Sequence, residues 1–299
     1  MIVHLAGSEL AILGAITLLA AAVNGALGYG FSSITVPVAL LYLTNRVLNP
    51  AMVLVEVAVN TYTMFINRRA LGRVFMRTLP IIMGVLPGVL VGSYLLFRVS
   101  PDWLKLATYA LLLPLILLQA GGLRRQIESE KAVGFPFGFG VGVLYSLTTI
   151  SGPPLAVMLN NQGYAKEDFR AALGLVRTAE SVFTACSYYF LGLYGVRSLQ
   201  LAGSIVPSIV IGIPIGAYAI RHMNPETFRR ICMSFDAWVV GFGISKVLTA
   251  LHLAAGLRSY SVLTAVAVID AVLLFSFFAK KRDAAAALAG LSSAELTPE

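Results

Sequence analysis

Nine apolar runs, at residues 8–43, 49–66, 77–97, 102–121, 132–161, 172–194, 201–221, 226–250 and 259–279, divide nearly the whole chain into segments on the scale of a bilayer. A helix needs about 20 apolar residues to cross the hydrocarbon core. A backbone in lipid must satisfy its own hydrogen bonds, so these runs are expected to be helices. With 58% hydrophobic and 12% charged residues, the rest of the chain lacks the composition to build a soluble domain. The expected fold class is all-α, a polytopic membrane protein. The first run lacks a basic leader and a small-residue cleavage site, and it is too long for a signal sequence, so it is expected to remain in the mature chain.

Two runs are too long for one crossing. Run 8–43, as continuous helix, would measure about 54 Å against a core of about 30 Å. Its middle reads NGALGYGFSS, with Asn24, Gly25, Gly28, Gly30, Ser32 and Ser33 interrupting an otherwise apolar stretch. Run 132–161 contains Ser151-Gly152-Pro153-Pro154. Both are expected to break.

A shift of 124 positions, which carries Gly28 onto Gly152, aligns the two halves without a gap. It also matches Gly14 with Gly138, Arg46 with Arg170, Glu56 with Glu180, Arg73 with Arg197, Tyr94 with Tyr218 and Pro101 with Pro225. Hydrophobic similarity alone would not align the Glu, Arg and Pro positions, so the chain is read as a duplication. If every run crossed once, the basic loops would fall on both sides of the membrane, against the positive-inside rule. If the two long runs enter, break and return, fifteen Lys and Arg lie in cytoplasmic loops and five lie outside. The expected architecture is two inverted repeats, each with one broken helix and three spanning helices, plus one extra C-terminal helix. The units are 1–121, a basic cytoplasmic linker at 122–131, 132–250, the extra helix at 251–282 and a mobile tail at 283–299. The N-terminus is expected outside and the C-terminus inside.

Matched breaks in two halves point to a transport site. Each break starts a half-helix whose first N–H groups have no intrahelical partner. Ser32 or Ser33 could cap the first and Ser151 the second, with Pro153 or Pro154 in a first turn where a missing N–H costs little. Two such positive ends facing one cavity would form an anion site. The candidate binding residues are Asn24, Gly28, Gly30, Ser32, Ser151, Gly152, Pro153 and Pro154.

At these residues the chain resembles the TauE/SafE family of membrane transporters, whose members include sulfite and organosulfonate exporters. The likeness rests on Gly25-Ala-Leu-Gly28-Tyr-Gly30 with Pro37, and on Ser151-Gly152-Pro153-Pro154-Leu155 followed by Lys166-Glu-Asp-Phe-Arg170, and it covers about residues 8–250. Tyr29 and Phe31 stand where the family's first motif usually has more glycine. The resemblance implies a small-anion substrate in a bacterial cytoplasmic membrane.

Glu56 and Glu180 lie about two turns into their helices, where a carboxylate is a candidate for ion coupling. Asn60 and Thr184 each follow by four residues on the same face. Arg177 offers Glu180 an intrahelical pair, which leaves a structural role for that acid equally open. Arg46 and Arg170 read as solvated loop residues, with anion attraction as the alternative. Lys246 is expected to neutralise Asp236 or Asp270. Gly84, Gly88, Gly92, Gly212 and Gly216 form small-residue faces for close helix packing. Cys186 and Cys232 read as small apolar residues rather than a disulfide or metal site.

The leading expectation is a secondary transporter of a small anion that works by alternating access. A passive anion channel is the alternative. An enzyme is disfavoured because His4, His222 and His252 fall near span ends and no catalytic or metal motif accompanies them. No P-loop, cofactor or metal site is expected. The formal charge of +8 comes from short loops and suits lipid headgroups rather than nucleic acid. The partners are then the bilayer and the small anion, with self-association left open.

Overall fold

A computed structural model describes residues 7–120, 130–162, 164, 166–219, 222 and 225–294. The described residues form α-helices and no strand: α1 (Gly7–Leu27), α2 (Phe31–Ala39), α3 (Asn45–Ile66), α4 (Leu71–Arg98), α5 (Pro101–Ala120), α6 (Glu130–Thr148), α7 (Gly152–Asn161), α8 (Lys166–Phe190), α9 (Val196–Ala219), α10 (Pro225–Ala250) and α11 (Ser261–Ala294). Short 3-10 turns at Arg68–Ala70 and Gly256–Tyr260 lead into α4 and α11. Most of the basic linker, including Arg124 and Arg125, lies outside the described residues, as do Arg221 and the last five residues. Helix α11 continues to Ala294, into the segment read from sequence as a tail.

Among the described residues, four helical segments are long and apolar enough to cross a membrane: Arg68–Arg98, Val196–Ala219, Arg230–Ala250 and Gly256–Ala279. Their outward faces carry large apolar side chains such as Leu90, Val210, Ile211 and Phe275. This is the surface expected of a chain solvated by lipid.

Both overlong runs are interrupted. Between α1 and α2 the backbone turns left-handed at Gly28 (φ 83°) and Gly30 (φ 110°), a conformation that glycine adopts without a Cβ penalty. Between α6 and α7 the positive φ falls on Thr149 (58°), which is not a glycine. Such a residue is held in place by its surroundings. Here the Thr148 hydroxyl accepts from Ile150 N–H at 3.1 Å, and the Thr149 hydroxyl donates to Thr148 O at 2.7 Å.

The helices pack in pairs drawn from the two halves. Helix α4 lies along α6, α1 along α9, α3 along α8 and α5 along α10. Small residues set the closest approaches: a Cβ at Gly84 or Gly88 would strike the α6 backbone at Phe135 or Phe139, and one at Gly216 would strike the α1 backbone at Ala22. Close backbone approach of this kind gives van der Waals contact where lipid offers no hydrophobic drive.

At one rim, Arg73 of α4 meets Asp168 of α8 at 2.7 Å, with side-chain exposures of 60% and 25%. An exposed pair contributes little. Replacing Arg73 with Ala should lower stability by less than about 1 kcal/mol, read as the midpoint of thermal aggregation in detergent. Arg46, read from sequence as solvated, instead donates to Leu96 O, Phe97 O and Val99 O. It satisfies the carbonyls that the end of α4 leaves without partners. Arg170 is exposed, in keeping with its solvated reading.

Candidate functional site

The two breaks touch. A Cβ on Gly152, the first residue of α7, would lie 3.1 Å from the Cβ of Tyr29, which sits between Gly28 and Gly30. Tyr29, Gly30 and Ser33 from the first break line one cavity together with Pro153 from the second and Cys232 and Asp236 from α10.

The half-helices differ at their starts. Gly30 is the N-cap of α2, and no side chain caps this helix. The serines do not act as caps: Ser33 Oγ donates to Gly30 O at 3.0 Å, and Ser32 Oγ donates to Glu56 Oε1. Since Ile34 N–H is the first to find an intrahelical acceptor, the N–H groups of Phe31, Ser32 and Ser33 have none within the helix. In α7, Pro153 and Pro154 have no N–H, and Leu155 N–H already bonds to Ser151 O. That leaves Gly152 as the only first-turn donor of α7 without an intrahelical acceptor. The second start supplies a dipole with one donor, the first a dipole with three.

Each break is tied to a buried carboxylate on a long helix. Glu56 of α3 accepts from Ser32, from Tyr145 Oη at 2.7 Å and from Arg177 at 3.0 Å. Glu180 of α8 accepts from Ser151, and its Oε1 has no partner among the described residues. Arg177 therefore pairs across to α3 rather than with Glu180 on its own helix. Helix α8 packs along α3, and this rotates the guanidinium toward Glu56 while Glu180 faces the second break. Asn60 joins the group through Arg177 O at 3.3 Å. Thr184 is buried with its hydroxyl unpartnered.

Ser32, Tyr145, Arg177 and Asn60 thus gather around Glu56 behind the first break, and Ser151 with Glu180 forms a second set behind the other, while Gly30, Gly152 and Pro153 meet around Tyr29. The others are less engaged. Asn24 is buried with its side-chain oxygen unpartnered, Gly28 has open space where a Cβ would be, and Pro154 is half-buried. Sequence reasoning missed Tyr145, Thr149 and the placement of Asp236. Tyr145 could have been suspected as a phenol four residues ahead of the second break. Lys246 does not neutralise an acid: it lies over the Phe242 ring, while Asp270 pairs with Arg230 at 2.8 Å. Two buried carboxylates and one guanidinium, which is committed to Glu56, leave a surplus negative charge around the breaks unless a proton is held, so an added anion must rely on the helix starts. No cluster of His, Cys, Asp and Glu suited to a metal occurs among the described residues.

A curated protein of Cupriavidus necator, described as "Probable sulfite/organosulfonate exporter TauE", is 28% identical over 176 residues. The aligned region is 56% of this chain and 66% of that protein, just under two thirds of its length. No solved structure matches the chain. The family described as "Sulfite exporter TauE/SafE" matches residues 13–242, a stretch running from α1 into α10 and taking in both breaks, and on that ground the chain belongs to the sulfite exporter TauE/SafE family.

Proposed function

We propose that this protein is a secondary transporter, acting as an exporter, of a small anion, with sulfite or an organosulfonate as substrate, in a bacterial cytoplasmic membrane. The observation that carries the reading is the contact between two half-helix starts at Gly152 and Tyr29, each break tethered by a serine to a buried glutamate. The substrate class follows from the likeness to the C. necator protein and the family description.

An inverted duplication is part of this reading. Shifting by 124 positions exchanges the α1–α9 pair for the α6–α4 pair and maps α3 onto α8 and α5 onto α10. A packing pattern that survives the exchange of halves supports a pseudo-two-fold axis. Alternating access is then the rocking of one half against the other around the breaks. The N-terminus is placed outside and the C-terminus inside, following the basic loops. Of the sequence's coupling candidates, Glu56 is saturated by three donors and serves as a fixed anchor with Arg177 and Asn60. Glu180 retains a free oxygen.

Purified protein in proteoliposomes, offered sulfite, sulfate, thiosulfate, sulfoacetate or chloride with and without a pH gradient, tests the reading. Gradient-dependent accumulation of one sulfur oxyanion is expected. Gly152→Leu should reduce it at least tenfold, because the added side chain must push into Tyr29. Flux without accumulation would instead identify a passive channel. Accumulation unaffected by Gly152→Leu would remove the breaks from the pathway.

A further inference from the structure

Four acids lie in the interior of the described helices, and three have evident commitments. Glu56 holds three donors, Asp270 holds Arg230 and Ser234, and Glu180 holds Ser151. Asp236 is the exception: it is 6% exposed and its Oδ1 has no hydrogen-bond partner among the described residues. A buried charge without partners is costly, so an unpartnered carboxyl in an apolar span calls for an explanation.

Its surroundings supply one. Asp236 lines the cavity shared by Gly30 and Ser33 at the start of α2, where first-turn N–H groups have no intrahelical acceptor. The space open to water centres is about 30 Å³, enough for one or two waters. Among the described residues, no Lys, Arg or His lines the cavity. Of the other titratable groups, Cys232 on α10 and Tyr29 line it with Asp236. On neighbouring elements, Tyr109 of α5 donates to Pro37 O at 2.9 Å, Lys105 and Asp102 of α5 interact with each other, and Asp270 of α11 is held by Arg230. Arg258 and Tyr260 belong to the 3-10 turn before α11. Helix α2 has no titratable residue, and the one acid of α1, Glu9, is at the end away from the break.

An ionised Asp236 and a transported anion would therefore compete for one positive helix start with no cation beside them. We propose that Asp236 carries the proton that accompanies the anion: the carboxylate takes up one proton from the bulk solution, the neutral acid leaves the α2 start free for the anion, and on release of the anion the proton passes to the solution on the other side and the carboxylate is restored. One proton enters with each anion, so the cavity gains one negative charge fewer than the anion carries: none for a monoanion and one for the dianion sulfoacetate. This inference rests on the anion-transport reading above.

The test counts protons taken up when sulfoacetate, whose acidic groups stay ionised near neutral pH, binds the full-length protein in nanodiscs. Calorimetry in two buffers of different ionisation heat, repeated from pH 6 to 9, gives the count. Uptake should rise toward about one proton per anion with pH, with apparent affinity falling about tenfold per pH unit once Asp236 is ionised. Asp236→Asn should bind the anion with that uptake abolished, whereas Asp236→Glu and Glu180→Gln should retain it. Binding by the wild-type protein without uptake at any pH overturns the proposal, a result that needs no variant to fold. Uptake that persists in Asp236→Asn, or that is lost only in Glu180→Gln, also overturns it. Binding without proton linkage leaves the transport reading standing. If sulfoacetate and, in a parallel titration, chloride fail to bind at all, both readings fall together.

Discussion

Arg177→Ala should destabilise the protein by about 3–5 kcal/mol, the range for removing one partner of a buried ion pair. Arg177 and Glu56 are 3% and 1% exposed, and their contact of 3.0 Å joins α8 to α3. Without the guanidinium, the buried Glu56 carboxylate keeps only Ser32 and Tyr145 as donors among the described residues. Most of the loss should come from the stranded charge rather than from the missing contact. Arg177→Met combined with Glu56→Gln, which removes both charges at similar volume, should therefore recover much of the stability. The check is the fraction of protein remaining monodisperse by size-exclusion chromatography after graded heating, for both single variants and the double. A single Arg177→Ala variant as stable as the parent would mean that the pair is not structural.

Gly216→Leu should be at least as damaging, on the order of 3 kcal/mol or more, because the first carbon added already meets main chain. That carbon would collide with Ala22 on α1, and neither helix can yield without opening the α1–α9 seam. Gly203 lies on the same helix, is exposed, and has nothing near its absent side chain. Gly203→Leu should stay within about 0.5 kcal/mol of the parent, which makes it the control for hydrophobicity and helix propensity. Detergent-unfolding curves for the two variants should differ clearly. Equal curves would show that the seam is looser than the contact at Ala22 implies.

These contacts mark the limit of what the sequence alone could tell. The break at Gly28–Gly30 was legible because glycines interrupt a run too long to cross once. The second break was legible to within a few residues: the sequence pointed to Ser151–Pro154, whereas the backbone turns at Thr149 and the prolines occupy the first turn of the next helix, a position that suits them. The partner of Arg177 was not legible. Spacing of three residues made Glu180 the obvious choice, and only the packing of α3 on α8 reveals that the guanidinium turns the other way. Lys246 and Asp236 are ten residues apart, about 15 Å along a helix and on different faces, so their pairing failed on geometry already implicit in the helix repeat. The role of Arg46 depended on where α4 ends relative to the start of α3, which local pattern does not encode.

The same ion pair has a consequence in time. Glu56 is made 121 residues before Arg177. At synthesis rates of about 5–20 residues per second, roughly 6–24 s pass between them. For the first 89 of those residues the nascent chain holds the carboxylate and Ser32 but lacks both Tyr145 and the arginine, and for the rest it still lacks the arginine. The halves resemble each other in sequence, yet the first cannot complete its own interior. Expressed alone, a fragment ending before α6 should be cleared as an unfinished membrane protein, and supplying the second half as a separate chain should rescue it.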